Sequence, residues 1–491
     1  MEPVELTPVE RRVWRAFPTG TPVDLRDGAD DDPDGGRAWP AGRTLRAWVL
    51  RKLLLRPPVD GEVAALRVTG ARITGVLDLQ YATVEHPITL RGCHFEEAPV
   101  LYGARVRQVN LSQSCLPGLD AATLRVDGVL RITDCRIAGQ VRLGGARLSG
   151  VFFLERARLG RPPGQGGPGP EEEVLHLNHS VLEDDIWGPG LEAHGEVRMN
   201  GASVAGTVNL VGAALRNPGG RVLDAENLSV GSDVNATRAR FEGEVSVRGA
   251  AIPGLLVFTE ALLSHRDGCA LRTTSAAIGE VWLREGRVEG EVNMLRGRFG
   301  LLHVPPRAIG GRVWLDGLTY GSLTPRLPAK VRIAMLERDA EGYVPHAYEQ
   351  LAAAYRQAGD DRAARNVLLA KERRHRSTRP WYARMWGYLQ DATVGYGFRP
   401  VRAAGWLAGL MAVGTTVFAL RHPEPLKPGE HPPFNAPFYT LDLMLPIIDF
   451  GQEKAFKAVG AYQWLAYGLI VTGWVLATTI AAGITRTLRR Q

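Results

Sequence analysis

One spacing constrains this chain more than any other feature. A glycine followed by alternating apolar and polar residues returns every 11 residues through much of residues 60–320. Gly128 opens GVLRI, Gly139 opens GQVRL and Gly150 opens GVFFL, and the same 11-residue step separates Gly195 from Gly206, Gly243 from Gly254 and Gly279 from Gly290. Within a unit, Val141 and Leu143 point one way and Arg142 the other, which is the period of a strand, and the glycine supplies a corner at positive φ. No unit buries its single apolar face alone, so the units must stack. Two halves make a coil of about 22 residues, its strands pairing with neighbouring coils at about 4.8 Å. The expected fold is mainly β: a right-handed β-helix over residues 59–325, on the order of 50 Å long.

Several segments break or close this pattern. Residues 160–173, GRPPGQGGPGPEEE, are too rich in proline and glycine for a strand and read as an exposed excursion. An open solenoid end is an unpaired sheet edge, so residues 1–58 are expected to form a helical cap, with Leu45, Trp48, Val49, Leu53 and Leu54 at helical spacing across residues 44–55. Cys93, Cys115 and Cys135, separated by 22 and 20 residues, are expected on one inner face of neighbouring coils. With Cys269 they form no CxxC and no metal-ligand spacing, so reduced thiols are expected. The 57 glycines and 32 prolines in a chain that is 45% hydrophobic fit many short strands better than long soluble helices. The opening residues MEPVELTPVERRVW hold no apolar run of the secretory type, so the solenoid is expected in the cytoplasm.

The phrasing ARLSGVFFLERARL from Ala146 to Leu159 resembles a loosened pentapeptide-repeat β-helix, although strict A(D/N)LxX repeats are absent. The whole arrangement, including Tyr348 to Lys371 and the GYGFRP stretch at Gly395, is similar to a group of actinobacterial membrane proteins, some carrying the label "membrane-associated oxidoreductase". The resemblance implies a β-helix with a C-terminal transmembrane hairpin and brings no active-site residues with it.

After residue 325 the period changes from 2 to 3.6. Tyr348, Leu351 and Tyr355, a break at Gly359 and Asp360, then Ala363, Val367 and Leu368 predict a helical hairpin adaptor over 326–378. Residues 371–402 hold eight Lys or Arg against two acids, interleaved with aromatics. The stretch 379–402 is expected to be an interfacial segment anchored by Trp381, Tyr382, Trp386, Arg399 and Arg402, and its lipid-facing character argues against nucleic acid. Residues 403–421 and 458–486 are expected to cross the membrane, and the basic residues outside them place both ends, including the tail 487–491, in the cytoplasm. The connection 422–457 contains FNAPFYTLDLMLPIIDFGQEKAF at 434–456, which reads as a re-entrant or interfacial helix. Asp442 and Asp449 are the ionisable groups that would act at membrane depth; the alternative places them in the outer aqueous layer.

Other motifs are set aside on context. Thr393 to Gly397 spells TVGYG, but a basic segment precedes it where a filter needs a spanning helix. Asp449-Phe450-Gly451 has no accompanying kinase loops, and Asp30, Asp32, Asp34 and Gly35 lack the twelfth ligand of a calcium loop. No GxGxxG turn, dithiol or haem signature supports redox chemistry, so no cofactor and no catalytic residue is expected. The leading expectation is a non-enzymatic, membrane-anchored scaffold with a cytoplasmic protein partner, for which Arg131, Arg136, Arg142 and Arg147 form a candidate ladder. The alternatives are an oligomeric channel or transporter with a solenoid regulatory domain and, third, the oxidoreductase of the family label.

Overall fold

The computed structural model describes residues 5–28, 31–162, 173–305, 307–378, 380–394, 400–427, 429–445 and 449–488. The chain divides into two compact units, Met1–Ala354 and Tyr355–Gln491. The first is a parallel β-solenoid of about 11 turns with helices beside its ends. One strand column carries Leu66, Ile88, Val109, Leu130 and Phe152 in direct register, then Ile186, Val208, Val234, Leu256, Val281, Leu302 and Leu323. Successive members are 21–26 residues apart, except for the 34-residue step from Phe152 to Ile186 that contains the excursion at 160–173. Residues 163–172 of that excursion lie outside the described residues. All members except Leu323 are buried, and burial of each such side chain contributes roughly 1.5–3 kcal/mol. Between Arg105 and Leu159 each coil presents four two-residue strands, two to each 11-residue half, whereas between Arg240 and His303 each half is one continuous strand, as in Arg240–Ser246 and Ala251–Val257.

The corner chemistry matches the expectation in part. Gly195, Gly243 and Gly290 have positive φ, but Gly128, Gly139, Gly150 and Gly279 do not, and many corners at positive φ are occupied by Tyr81, Gln113, Thr123, Asp134 and other non-glycine residues. The repeat glycines outside that region answer to close stacking instead. A Cβ on Gly279 would lie 2.1 Å from the Pro253 carbonyl oxygen, and one on Gly300 would lie 2.5 Å from that of Gly279. These glycines let one coil's backbone rest on the next.

The cysteines also depart from the expectation. Cys93 and Cys135 are fully buried, but Cys115 is half-buried, pairing in register with His94 and Arg136 on the outer side. The intervening inner position belongs to Ser114, whose Oγ donates to the Leu90 carbonyl at 2.9 Å and accepts the Cys93 N–H at 3.0 Å. A displacement of one residue from the coil period sends a side chain to the opposite face of a strand.

At the N-terminal end, helix α1 (Pro8–Ala16) starts with a capping box in which Thr7 and Glu10 exchange hydrogen bonds. Glu10 is fully buried and holds Arg46 at 2.7 Å. Residues 44–55 are not one helix: Thr44–Arg46 is a strand with Leu45 opposite Ile73, and only Ala47–Leu54 forms helix α2. The spacing of Leu45, Val49 and Leu53 suits a helix, but the open sheet edge recruits the first three residues into its ladder. Val23 likewise pairs with Val68, so strand pairing begins well ahead of residue 59.

The C-terminal end is closed by side-chain donors. Helix α3 (Ala329–Leu336), which the hydrophobic period did not reveal, carries Arg332, buried and donating to the carbonyls of Val304 at 2.7 Å, Thr324 at 3.0 Å and Pro325 at 2.8 Å. Helix α4 (Pro345–Gln357) adds His346, donating to the Leu318 carbonyl at 3.2 Å, and Gln350, donating to that of Tyr320 at 2.7 Å. These donors take the place of the coil that does not follow.

In the second unit, helix α5 (Asp361–Ser377) is capped by Asp360, which accepts the Ala363 N–H at 2.8 Å, so the break at Gly359 and Asp360 falls between α4 and α5. Helices α6 (Trp381–Val394) and α7 (Pro400–Leu420) follow. Among the described residues one segment, Arg402–Leu420, is long and apolar enough to cross a membrane. Helix α8 (Ala436–Met444) and the single-turn helix α9 (Gln452–Ala455) occupy the predicted re-entrant stretch, and helix α10 (Ala461–Leu488) covers the second expected span.

Candidate interaction surface and membrane segment

The outward positions of the coils decide what the solenoid offers to a partner. Arg131, Arg136, Arg142 and Arg147 do not form a ladder. They stand on four successive sides of one coil, opposite Phe153, Arg158, His176 and Val181 respectively. Their spacing of five or six residues is about a quarter of the coil, whereas a ladder along the axis needs a whole coil between members.

A ladder does exist, and Arg147 belongs to it. Arg105 is in register with Arg125, and Arg125 with Arg147, so three guanidinium side chains occupy one outer column on consecutive coils. All three are exposed, and among the described residues none has an ion pair or side-chain hydrogen bond. Two other outer arginines are answered by acids on the adjacent coil: Arg158 faces Glu192 at 3.4 Å and Arg216 faces Glu242 at 3.5 Å, each pair directly opposed. Even the like-charged neighbours Arg136 and Arg158 each have a carboxylate, since Arg136 reaches Asp32 at 2.6 Å. The sequence signal for the ladder is ARV, LRV and ARL, recurring one coil apart at Ala104, Leu124 and Ala146.

An open groove of about 1290 Å³ runs beside the excursion, lined by Cys115, His94, His194, Arg136 and Arg158 among others. Its thiol is not primed for nucleophilic chemistry. Burial, reinforced by the hydrogen bond to Asp34, pushes Cys115 up to about 11, and His94 Nδ1 is engaged with the Pro33 carbonyl at 2.8 Å. Among the described residues no group of three or more His, Cys, Asp or Glu side chains is placed to hold a metal ion.

In the second unit α8 packs against α7 and α10 through Phe418, Tyr439, Leu443, Met444 and Leu469. Two glycines permit this approach: a Cβ on Gly414 would meet Thr440 Cγ2 at 2.4 Å, and one on Gly473 would meet the Met444 carbonyl oxygen at 2.5 Å. Asp442 is buried, and its carboxylate accepts the N–H groups of Phe450 at 2.7 Å, Gln452 at 2.8 Å and Glu453 at 3.2 Å. It organises the turn into α9. Asp449 is exposed and pairs with Lys454. On α6, Trp381 and Tyr382 are 68% and 64% exposed. Arg402 is exposed in the first turn of α7, Trp386 lies on α6 with a side chain outside the described residues, and Arg399 lies outside them altogether.

Comparison with protein families, characterised proteins and solved structures finds no match for this chain.

Proposed function

We propose that the protein is a membrane-anchored interaction scaffold of the pentapeptide-like class, with no catalytic or cofactor role. Its coils take the right-handed path that parallel crossovers favour, α7 and α10 both cross the cell membrane, and both ends of the chain remain in the cytoplasm. One observation carries this reading: a long apolar helix, Arg402–Leu420, belongs to the same chain as a solenoid whose inner columns are filled by side chains. A filled interior leaves the regular outer faces as the surface for recognition. The basic run of residues 371–402 and the terminal arginines support the orientation, and the exposed Trp381 and Tyr382 support an interfacial α6.

The rival reading is an oligomeric channel. It draws on α8, nine residues or roughly 14 Å long, packed between two longer helices, which is the arrangement of a half-spanning pore helix. The full chain purified in detergent, sized for oligomeric mass and reconstituted for ion-flux recording separates the two. A monomer or dimer without flux is expected, with Asp442→Asn altering the stability of the 449–455 turn and nothing else. A ring-sized oligomer that conducts, with conduction lost in Asp442→Asn, overturns the scaffold.

A further inference from the structure

We infer that the column Arg105, Arg125 and Arg147 is the docking site for a short, extended acidic segment of a partner protein. The inference rests on the scaffold reading and names the face and the partner's chemistry. Three like charges on consecutive coils, at about 4.8 Å per step, repel one another along the ladder. At two other outer positions the adjacent coil supplies a carboxylate, Glu192 for Arg158 and Glu242 for Arg216, and at others an uncharged residue, as Phe153 does for Arg131 and Thr319 for Arg298. Here it supplies another arginine, and the described residues provide no counter-ion. The counter-charge that such a column lacks is one that a partner brings, and guanidinium forks match carboxylates in bidentate geometry.

The footprint selects among anionic partners. Beyond Arg147 the same column continues with Val181, Ser203 and Ser229, so the charge is confined to three coils, about 10 Å along the axis. That length matches two or three same-side residues of an extended peptide, which recur at about 6.8 Å. Two residues after Arg105 and Arg125 stand Arg107 and Asp127, both exposed, so an acid borders the column at its middle coil. A nucleic-acid duplex or a sheet of lipid headgroups would press negative charge onto Asp127, whereas a single strand with spaced acids does not. At the neighbouring corner the Tyr81 ring, 70% exposed, lies over Gly103 and against Tyr102 with centroids 5.4 Å apart. Tyrosine beside arginine is the composition that concentrates binding energy at protein interfaces.

The test uses the full chain in nanodiscs of zwitterionic lipid and a fluorescein-labelled deca-glutamate peptide. Its arms are a single-stranded oligonucleotide and water-soluble dihexanoyl phosphatidylglycerol. The variant R105Q/R125Q/R147Q is compared with R158Q/R248Q/R312Q, which removes the same charge from arginines that already meet Glu192, Glu226 and Glu291. Circular dichroism and thermal melting establish that both variants are folded. The expected result is peptide binding that weakens with salt, is lost at least tenfold in the first variant and stays within about twofold in the second. No binding to the parent protein, equal loss in both variants, or tighter binding of the oligonucleotide or lipid overturns the inference. None of these outcomes bears on oligomeric mass or ion flux, so the scaffold reading stands or falls separately.

Discussion

Replacing Gly279 with alanine is expected to lower the opening free energy of the C-terminal coils by about 3 kcal/mol, while the same change at Gly310 shifts it by less than about 0.5 kcal/mol. Both substitutions add one methyl group and both remove the same backbone freedom from the unfolded chain, so that contribution cancels in the comparison. They differ in what the methyl meets. At Gly279 the new Cβ would stand 2.1 Å from the Pro253 carbonyl oxygen and 2.6 Å from that of Gly254, both backbone atoms of the preceding coil. Neither atom can swing aside as a side-chain tip would, so the coils must separate and the ladder between residues 251–257 and 277–282 weakens. At Gly310 the nearest atom is 3.9 Å away. Hydrogen exchange of the full chain, followed on peptides from these strands, measures both values locally. Local measurement matters because a chain of two compact units is not expected to unfold in one step.

The second large effect is expected at Arg332. An Arg332→Met chain keeps an apolar stem of similar length but loses the guanidinium that donates to Val304, Thr324 and Pro325. The Thr324 carbonyl would keep the Val304 N–H at 2.9 Å, while the buried Val304 carbonyl and the half-buried Pro325 carbonyl would lose this donor, at about 1–3 kcal/mol for each group left unsatisfied. Partial relaxation brings the expected total to about 3–5 kcal/mol, read as faster exchange of residues 298–324 with the N-terminal coils unchanged. The asymmetry is the informative part. A solenoid is stabilised by nearest neighbours, so damage at one cap stays near that cap.

The solenoid was legible in the sequence because its repeat glycines and its alternation share one period, and both are local properties. What those glycines do was not legible. Whether a glycine supplies a left-handed corner or room for a neighbouring backbone depends on the coil above it, which Gly279 and Gly300 meet only after folding. Cys115 illustrates a related difficulty: at 22 residues from Cys93 and 20 from Cys135 it averages to the coil length, yet a one-residue offset reverses its side. The arginine column was missed because Arg131, Arg136, Arg142 and Arg147 are neighbours in sequence and on different sides in space, whereas Arg105, Arg125 and Arg147 are a full coil apart. Cap residues such as Arg332 carry no periodic signature, since a cap answers the end of a repeat and is not part of it. Asp442 stood out in the sequence as an acid among Leu441, Leu443 and Met444. Its carboxylate meets the N–H groups of Phe450, Gln452 and Glu453, a contact eight to eleven residues away that no helical or strand period encodes.

The account as a whole turns on whether the chain is held in a bilayer. The most direct measurement is extraction of membranes from cells expressing the full chain, washed with alkaline carbonate and then with detergent. An anchored protein is expected to stay with the lipid through the carbonate wash and to leave only with detergent, because helices that cross the hydrocarbon core are retained by their buried apolar surface rather than by charge. Quantitative release into the carbonate supernatant would mean that Arg402–Leu420 and α10 pack within a water-soluble protein, and would contradict the membrane-anchored scaffold.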